Sequence, residues 1–298
     1  MLTLDEILGI AYLQLTGIGF LGNLTLLILN SFNFLTAHTV RPKNVIIIQL
    51  AFSNAMVLLF GGIPTITRLW KVKCVLDRTK IKIITYMQLL TRGLSLNSTC
   101  LLSVFQAITI SPNKSMWAQL KIKAPKTIIR CIVLCWMFHL IIHMLPFLQH
   151  DGPKNSTVSK DGCRTGYGIL DVYNNNHIKF QIVTFVHDTF FAGLMTASSV
   201  HMVLILYRHR RNVNHIHNKN NSTKISPEKR ATQAILLLVA TFVLFNTFSP
   251  ICIFCMLYFK SIKMWMIHTS ALLVLCYPTV SPIILVSINK QVPNSCAC

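Results

Sequence analysis

GLSLNSTCLLSVFQAITISPNKSMWAQLKIKAPK, from Gly93 to Lys126, is the stretch that decides the fold. From Gly93 to Ile110 it carries no charged residue. Pro112 then ends the helix, because proline has no backbone N–H to donate and its ring clashes with the preceding turn. Lys114, Lys121, Lys123 and Lys126 follow. An apolar helix that breaks at a proline into a cationic stretch reads as a membrane span leaving the bilayer near Ser111 at a charged surface.

The same pattern recurs on both sides of this stretch. The hydrocarbon core of a bilayer takes about 20 apolar residues as a helix. Seven runs meet or approach that length: residues 7–29, 45–66, 83–110, 128–148, 178–207, 231–259 and 264–288. Each is expected to be helical, since lipid offers the backbone no hydrogen-bond partner. The expected architecture is therefore all-α, a single seven-helix integral membrane bundle over residues 1–298. Pro64, Pro146, Pro250, Pro278 and Pro282 fall inside or near the ends of these runs, where membrane helices accommodate proline as kinks. No internal repeat is visible.

Composition points the same way. The chain is 53% hydrophobic and 12% charged, against about a quarter charged in soluble domains. Lys and Arg outnumber Asp and Glu by 28 to 8, giving a net charge of +20. The excess sits between the apolar runs, which implies contact with anionic lipid headgroups and orientation in the membrane rather than nucleic acid binding. No catalytic constellation, cofactor motif or metal site emerges. His139 and His143, four apart in the fourth run, share a helix face and are expected to pack or hydrogen-bond internally. His209, His215 and His217 belong to a solvated basic connection without a cysteine or carboxylate cluster. Of the ten cysteines, Cys100, Cys131, Cys135, Cys252, Cys255 and Cys276 lie inside apolar runs and behave as small hydrophobes.

Seven spans place the two ends on opposite sides. The first, third and fifth connections plus the C-terminus hold fourteen basic residues, and the remaining segments twelve, so counting barely decides. The N-terminus, with Asp5 and Glu6 and no basic residue, favours the outside. No basic region precedes the first run, which is expected to act as its own insertion signal. The longest connection, about 149–177, then faces outward and carries the sequon Asn155-Ser156-Thr157. Asn23, Asn97, Asn113, Asn220 and Asn221 also fit the sequon but fall in spans or on the opposite side.

Of the charges that fall within spans, Arg92 and Asp188 are the more informative, each about ten residues, or about 15 Å, from the outer side. A charge at that depth costs about 2.5–3.5 kcal/mol or more unless paired or hydrated. They are either a structural pair or water-satisfied charges, or one or both line a ligand cavity. Their depths match, so pairing across a common cavity in the outer half is expected.

Several short strings, in order and at consistent spacing, carry a resemblance over nearly the whole chain. They are Arg41-Pro42-Lys43-Asn44, Gly61-Gly62-Ile63-Pro64, Arg92-Gly93, the stretch from Cys100 to Lys126, Leu206-Tyr207-Arg208-His209, the SPEKRATQ string from Ser226 to Gln233, and Pro278-Thr279-Val280-Ser281-Pro282. The sequence resembles the vomeronasal type-1 receptors. The resemblance implies a G-protein-coupled receptor for pheromones or related small-molecule chemosignals in vomeronasal sensory neurons. It implies a multi-pass plasma membrane protein, N-terminus extracellular and C-terminus cytoplasmic, with a heterotrimeric G protein as partner. Lys121, Lys123, Lys126, Arg208, Arg210, Lys229 and Arg230 would face that partner. The family usually places a cysteine at the outer start of the third span, where this chain has Ile81. Its usual loop partner is present as Cys163, and Cys74 offers an alternative if the loop folds back to bring the Cα atoms within about 7 Å. A bitter-taste-type receptor and, from another class, a small membrane transporter are the alternatives.

Overall fold

Seven helices follow one another, with no strand among the described residues: α1 (Leu4–Thr36), α2 (Pro42–Leu69), α3 (Arg78–Ile110), α4 (Ser115–Gln149), α5 (Asn175–Ile216), α6 (Pro227–Tyr258) and α7 (Met264–Asn289). The computed structural model describes residues 3–36, 42–70, 78–112, 115–149, 175–216, 227–258 and 264–289.

Local chemistry sets the helix ends. Thr3 and Glu6 form a reciprocal cap on α1: Thr3 N donates to Glu6 Oε2 at 2.8 Å and Glu6 N donates to Thr3 Oγ1 at 3.4 Å. Asp5 and Glu6 therefore also stabilise the positive end of a helix. Pro42 and Pro227 open α2 and α6, where a missing N–H costs nothing. At the other end of α3, Ser111 bonds Ala107 O through both its N–H, at 3.2 Å, and its hydroxyl, at 2.8 Å, and Pro112 follows.

The helices run beyond the apolar stretches, and this corrects one expectation. The basic residues Lys121, Lys123 and Lys126 are on the first turns of α4, not in a loop. Arg208, Arg210 and Arg211 continue α5, and Lys229 and Arg230 open α6. Hydrophobic length measures the thickness of the lipid, whereas lysine, glutamine, alanine and arginine keep a helix going past the lipid.

α3 is the central strut, packed against α2, α4, α5 and α6, while α1 packs on α2 and α7. One apolar core joins Leu26, Leu50, Leu102, Met202, Leu238 and Tyr277 from six helices. A second, of Tyr12, Leu58, Ile66 and Leu275, ties α1, α2 and α7 together. Six helices are long and apolar enough to cross a membrane, and α6 carries a shorter apolar stretch, Thr232–Phe248, among the described residues. Two thirds of the spanning windows of α2 and α3 are buried, 67% each, against 17% for α4 and 11% for α5. α4 and α5 therefore turn most of their apolar surface outward, as helices facing lipid do.

Side-chain hydrogen bonds stitch the bundle where lipid forbids unpaired polar groups. Asn23 Nδ2 donates to Pro278 O at 2.8 Å, and Thr279 Oγ1 to Leu15 O at 3.1 Å, joining α1 to α7 beside the prolines. Asn54 on α2 donates to Ser281 Oγ on α7 at 2.8 Å and accepts from Ser95 Oγ on α3 at 2.6 Å.

Candidate functional site

Arg92 on α3 and Asp188 on α5 meet. Arg92 Nη2 donates to Asp188 Oδ2 at 2.9 Å, with 23% and 22% of the two side chains exposed. Asp188 Oδ1 accepts a second bond, from His187 Nδ1 at 3.2 Å. A carboxylate offers no proton, so His187 carries its proton on Nδ1. The carboxylate is thereby held from two sides, and the guanidinium is neutralised by direct contact.

Beside the pair stands a histidine cluster. Asn97 Nδ2 lies 2.8 Å from His139 Nε2, and His139 Nδ1 lies 3.3 Å from His143 Nε2. With the Asn97 amide donating, neutral His139 accepts at Nε2 and donates from Nδ1 to His143, which orders both tautomers. The His139 and His143 rings stack at 5.4 Å, as the i, i+4 spacing on α4 allows. His187 meets the edge of His139 at 5.1 Å and stacks on Phe138 at 5.6 Å. A small cavity of about 20 Å³ lies among these histidines, Arg92 and Asp188.

On the other side of the pair a cavity of about 280 Å³ opens between α3, α5 and α6. Its walls are mainly apolar, with Leu96, Phe185, Ala192, Phe242 and Ile251. Its polar lining comes from Arg92 on α3, Asp188 and Thr189 on α5, and Asn246 and Thr247 on α6. Phe242 also meets Tyr277 edge-on at 4.7 Å, and the Tyr277 hydroxyl bonds Thr99 Oγ1 at 2.6 Å. One wall of the cavity thus leans on a contact that joins α3, α6 and α7.

The sequence brings out Arg92, Asp188, His139 and His143, but not His187, Asn246 or the third helix's Asn97 as a histidine partner. His187 was discoverable as the neighbour of the one acidic residue in a span; Asn246 has no such signal. Asn155, Cys74 and Cys163 lie outside the described residues, and Ile81 lies on α3. The competing sequons Asn23 and Asn97 are 0% and 1% exposed inside helices, where no glycan fits. Cys100, Cys131, Cys135, Cys252 and Cys276 are free thiols, and among the described residues no group of three or more metal-binding side chains is placed for a metal ion.

Seven apolar helices packed around a central third, with a cavity among the third, fifth and sixth, define the seven-helix receptor class. The fold matches squid rhodopsin with a TM-score of 0.71 over 97% of this chain and 85% of that one, at 15% identity. The model of the vomeronasal organ pheromone receptor family matches residues 7–298. The chain is 37% identical to human vomeronasal type-1 receptor 3, covering 99% of this chain and 94% of the relative. It is 36% identical to vomeronasal type-1 receptor 4 of Pongo pygmaeus, with 95% of each covered. It is 26% identical to olfactory receptor class A-like protein 1 of Danio rerio, over 97% and 92%. The chain belongs to the vomeronasal organ pheromone receptor family. It is a multi-pass membrane protein and a G-protein-coupled pheromone receptor. Nothing in these findings favours the bitter-taste receptor or the small transporter.

Proposed function

We propose that a small, largely apolar chemosignal with one or two polar groups binds in the cavity between α3, α5 and α6. The observation that carries this is the cavity itself: about 280 Å³, close to the roughly 300 Å³ at the lower end for small-molecule sites. Its apolar walls supply the affinity. The Arg92–Asp188 pair and Asn246 in its lining supply orientation. Bound ligand shifts an equilibrium between two arrangements of the helices in proportion to its differential affinity for them. Phe242 is the wall best placed to transmit it, because it also packs on Tyr277.

In this reading the N-terminus is extracellular, as its acidic start suggests, and Asn155 is glycosylated. Any Cys74–Cys163 bond would cap the cavity from outside. The opposite, cytoplasmic end, in the membrane of vomeronasal sensory neurons, engages a heterotrimeric G protein through Lys121 and the basic ends of α5 and α6: Arg208, Arg210, Lys229 and Arg230. The test is a cavity-filling substitution. Ala192→Phe in receptors co-expressed with a reporter G protein should abolish responses to apolar volatiles or steroid-like compounds while surface staining persists. Unchanged responses would place the ligand elsewhere.

A further inference from the structure

Lys123, Lys126 and Arg130 stand on α4 at spacings of three and four residues, so they form one stripe along the helix. All three are exposed. Turned to the same side are Ile122, Ile129, Val133 and Met137, with 80%, 52%, 55% and 53% of their surface exposed. That side of α4 faces lipid, since only 17% of its spanning window is buried. Lys121 turns the other way: its Nζ donates to Ser111 O at 2.7 Å, at the end of α3. The basic cluster is therefore divided, with Lys121 held against the bundle and three cations on the outward strip. α4 contains no acidic residue to neutralise them.

We propose that Lys123, Lys126 and Arg130 bind the headgroup of a polyphosphorylated inositol lipid, whose acyl chains lie along Ile129, Val133 and Met137. Two features choose this occupant. The stripe from Lys123 to Arg130 extends about 10 Å at 1.5 Å per residue, too far for a single phosphodiester but within reach of an inositol ring bearing several phosphates. Arg130 also sits level with exposed isoleucine and valine, on a surface that lipid covers and a soluble protein does not reach. The inference rests on the reading above that α4 begins on the cytoplasmic side, where anionic lipids concentrate. It removes Lys123 and Lys126 from the G-protein-facing set.

The test uses the full-length receptor in nanodiscs, where both leaflets carry the probe and insertion direction does not matter. A topology error would appear in tag accessibility on intact cells and not in this assay. Binding of fluorophore-labelled phosphatidylinositol 4,5-bisphosphate in phosphatidylcholine is compared with phosphatidylserine at matched charge. Each basic residue near an anionic surface strengthens binding about fivefold. Arg130→Gln alone should weaken binding by about that factor, and Lys123→Gln/Lys126→Gln/Arg130→Gln by more than tenfold, with elution profile and unfolding temperature retained. Arg208→Gln/Arg211→Gln, two exposed cations on α5, should change it less than twofold. Equal weakening by both charge removals, no weakening, or equally tight phosphatidylserine binding would overturn the assignment. So would a triple variant that keeps lipid binding and loses G-protein activation, which would mark a protein contact instead.

Discussion

Removing one member of the Arg92–Asp188 pair should cost more than removing both in proportion. An exposed ion pair is worth about 0–1 kcal/mol, whereas stranding one charge of a buried pair costs about 3–5 kcal/mol. With contact at 2.9 Å and side chains 23% and 22% exposed, this pair falls between those limits, and a coupling of about 2 kcal/mol is expected. The geometry further predicts an asymmetry. Arg92→Gln leaves Asp188 with its bond from His187. Asp188→Asn leaves the guanidinium without a carboxylate, since the other acidic residues among those described, Asp5, Glu6 and Glu228, stand at the starts of α1 and α6. Asp188→Asn should therefore be the more damaging single change. The assay is equilibrium unfolding of the purified receptor in mixed micelles for wild type, both single variants and the double variant. Singles should lose about 2–4 kcal/mol each and the double less than their sum. Additivity within about 0.5 kcal/mol, or a greater loss from Arg92→Gln, would refute the reasoning.

Gly93→Ala should destabilise by about 1–3 kcal/mol, because a methyl there collides with the His139 ring, which Asn97 and His143 hold in place; adding His139→Ala should return part of the loss in the same unfolding assay. Asn54→Leu should cost about 2 kcal/mol, since it strips the Ser95 and Ser281 hydroxyls of the amide between them, and would be read as a lower unfolding temperature. Asn155→Gln should abolish the glycosidase-sensitive mobility shift of the receptor from mammalian cells, and a shift that persists would move the glycan elsewhere.

The seven helices were legible because the thickness of a bilayer imposes a length on every apolar run, and sequence displays that length directly. Where the helices end was not, because Lys121 or Arg211 favours helix as well as it favours water. The Arg92–Asp188 pair could be read because charge is rare in a span and the two depths matched. His139 and His143 showed their shared face through spacing alone. Their partners Asn97 and His187 come from α3 and α5, and only packing brings those helices to α4. The Arg92-Gly93 motif was visible as a string; that Gly93 is small because a histidine ring lies against it was not. Arg130 was passed over as a span residue, although its place four after Lys126 already aligned it with the stripe.

The bonds made by Asn23 and Asn54 also order the chain's birth. Their partners on α7, Pro278 and Ser281, lie 255 and 227 residues further along. Synthesis runs from the N-terminus, so α1, α2 and α3 enter the membrane with these amides short of a partner until the final helix arrives. The finished bundle is therefore sealed by its last-made segment, and a ribosome that stops before Met264 releases six helices whose polar seam has never closed.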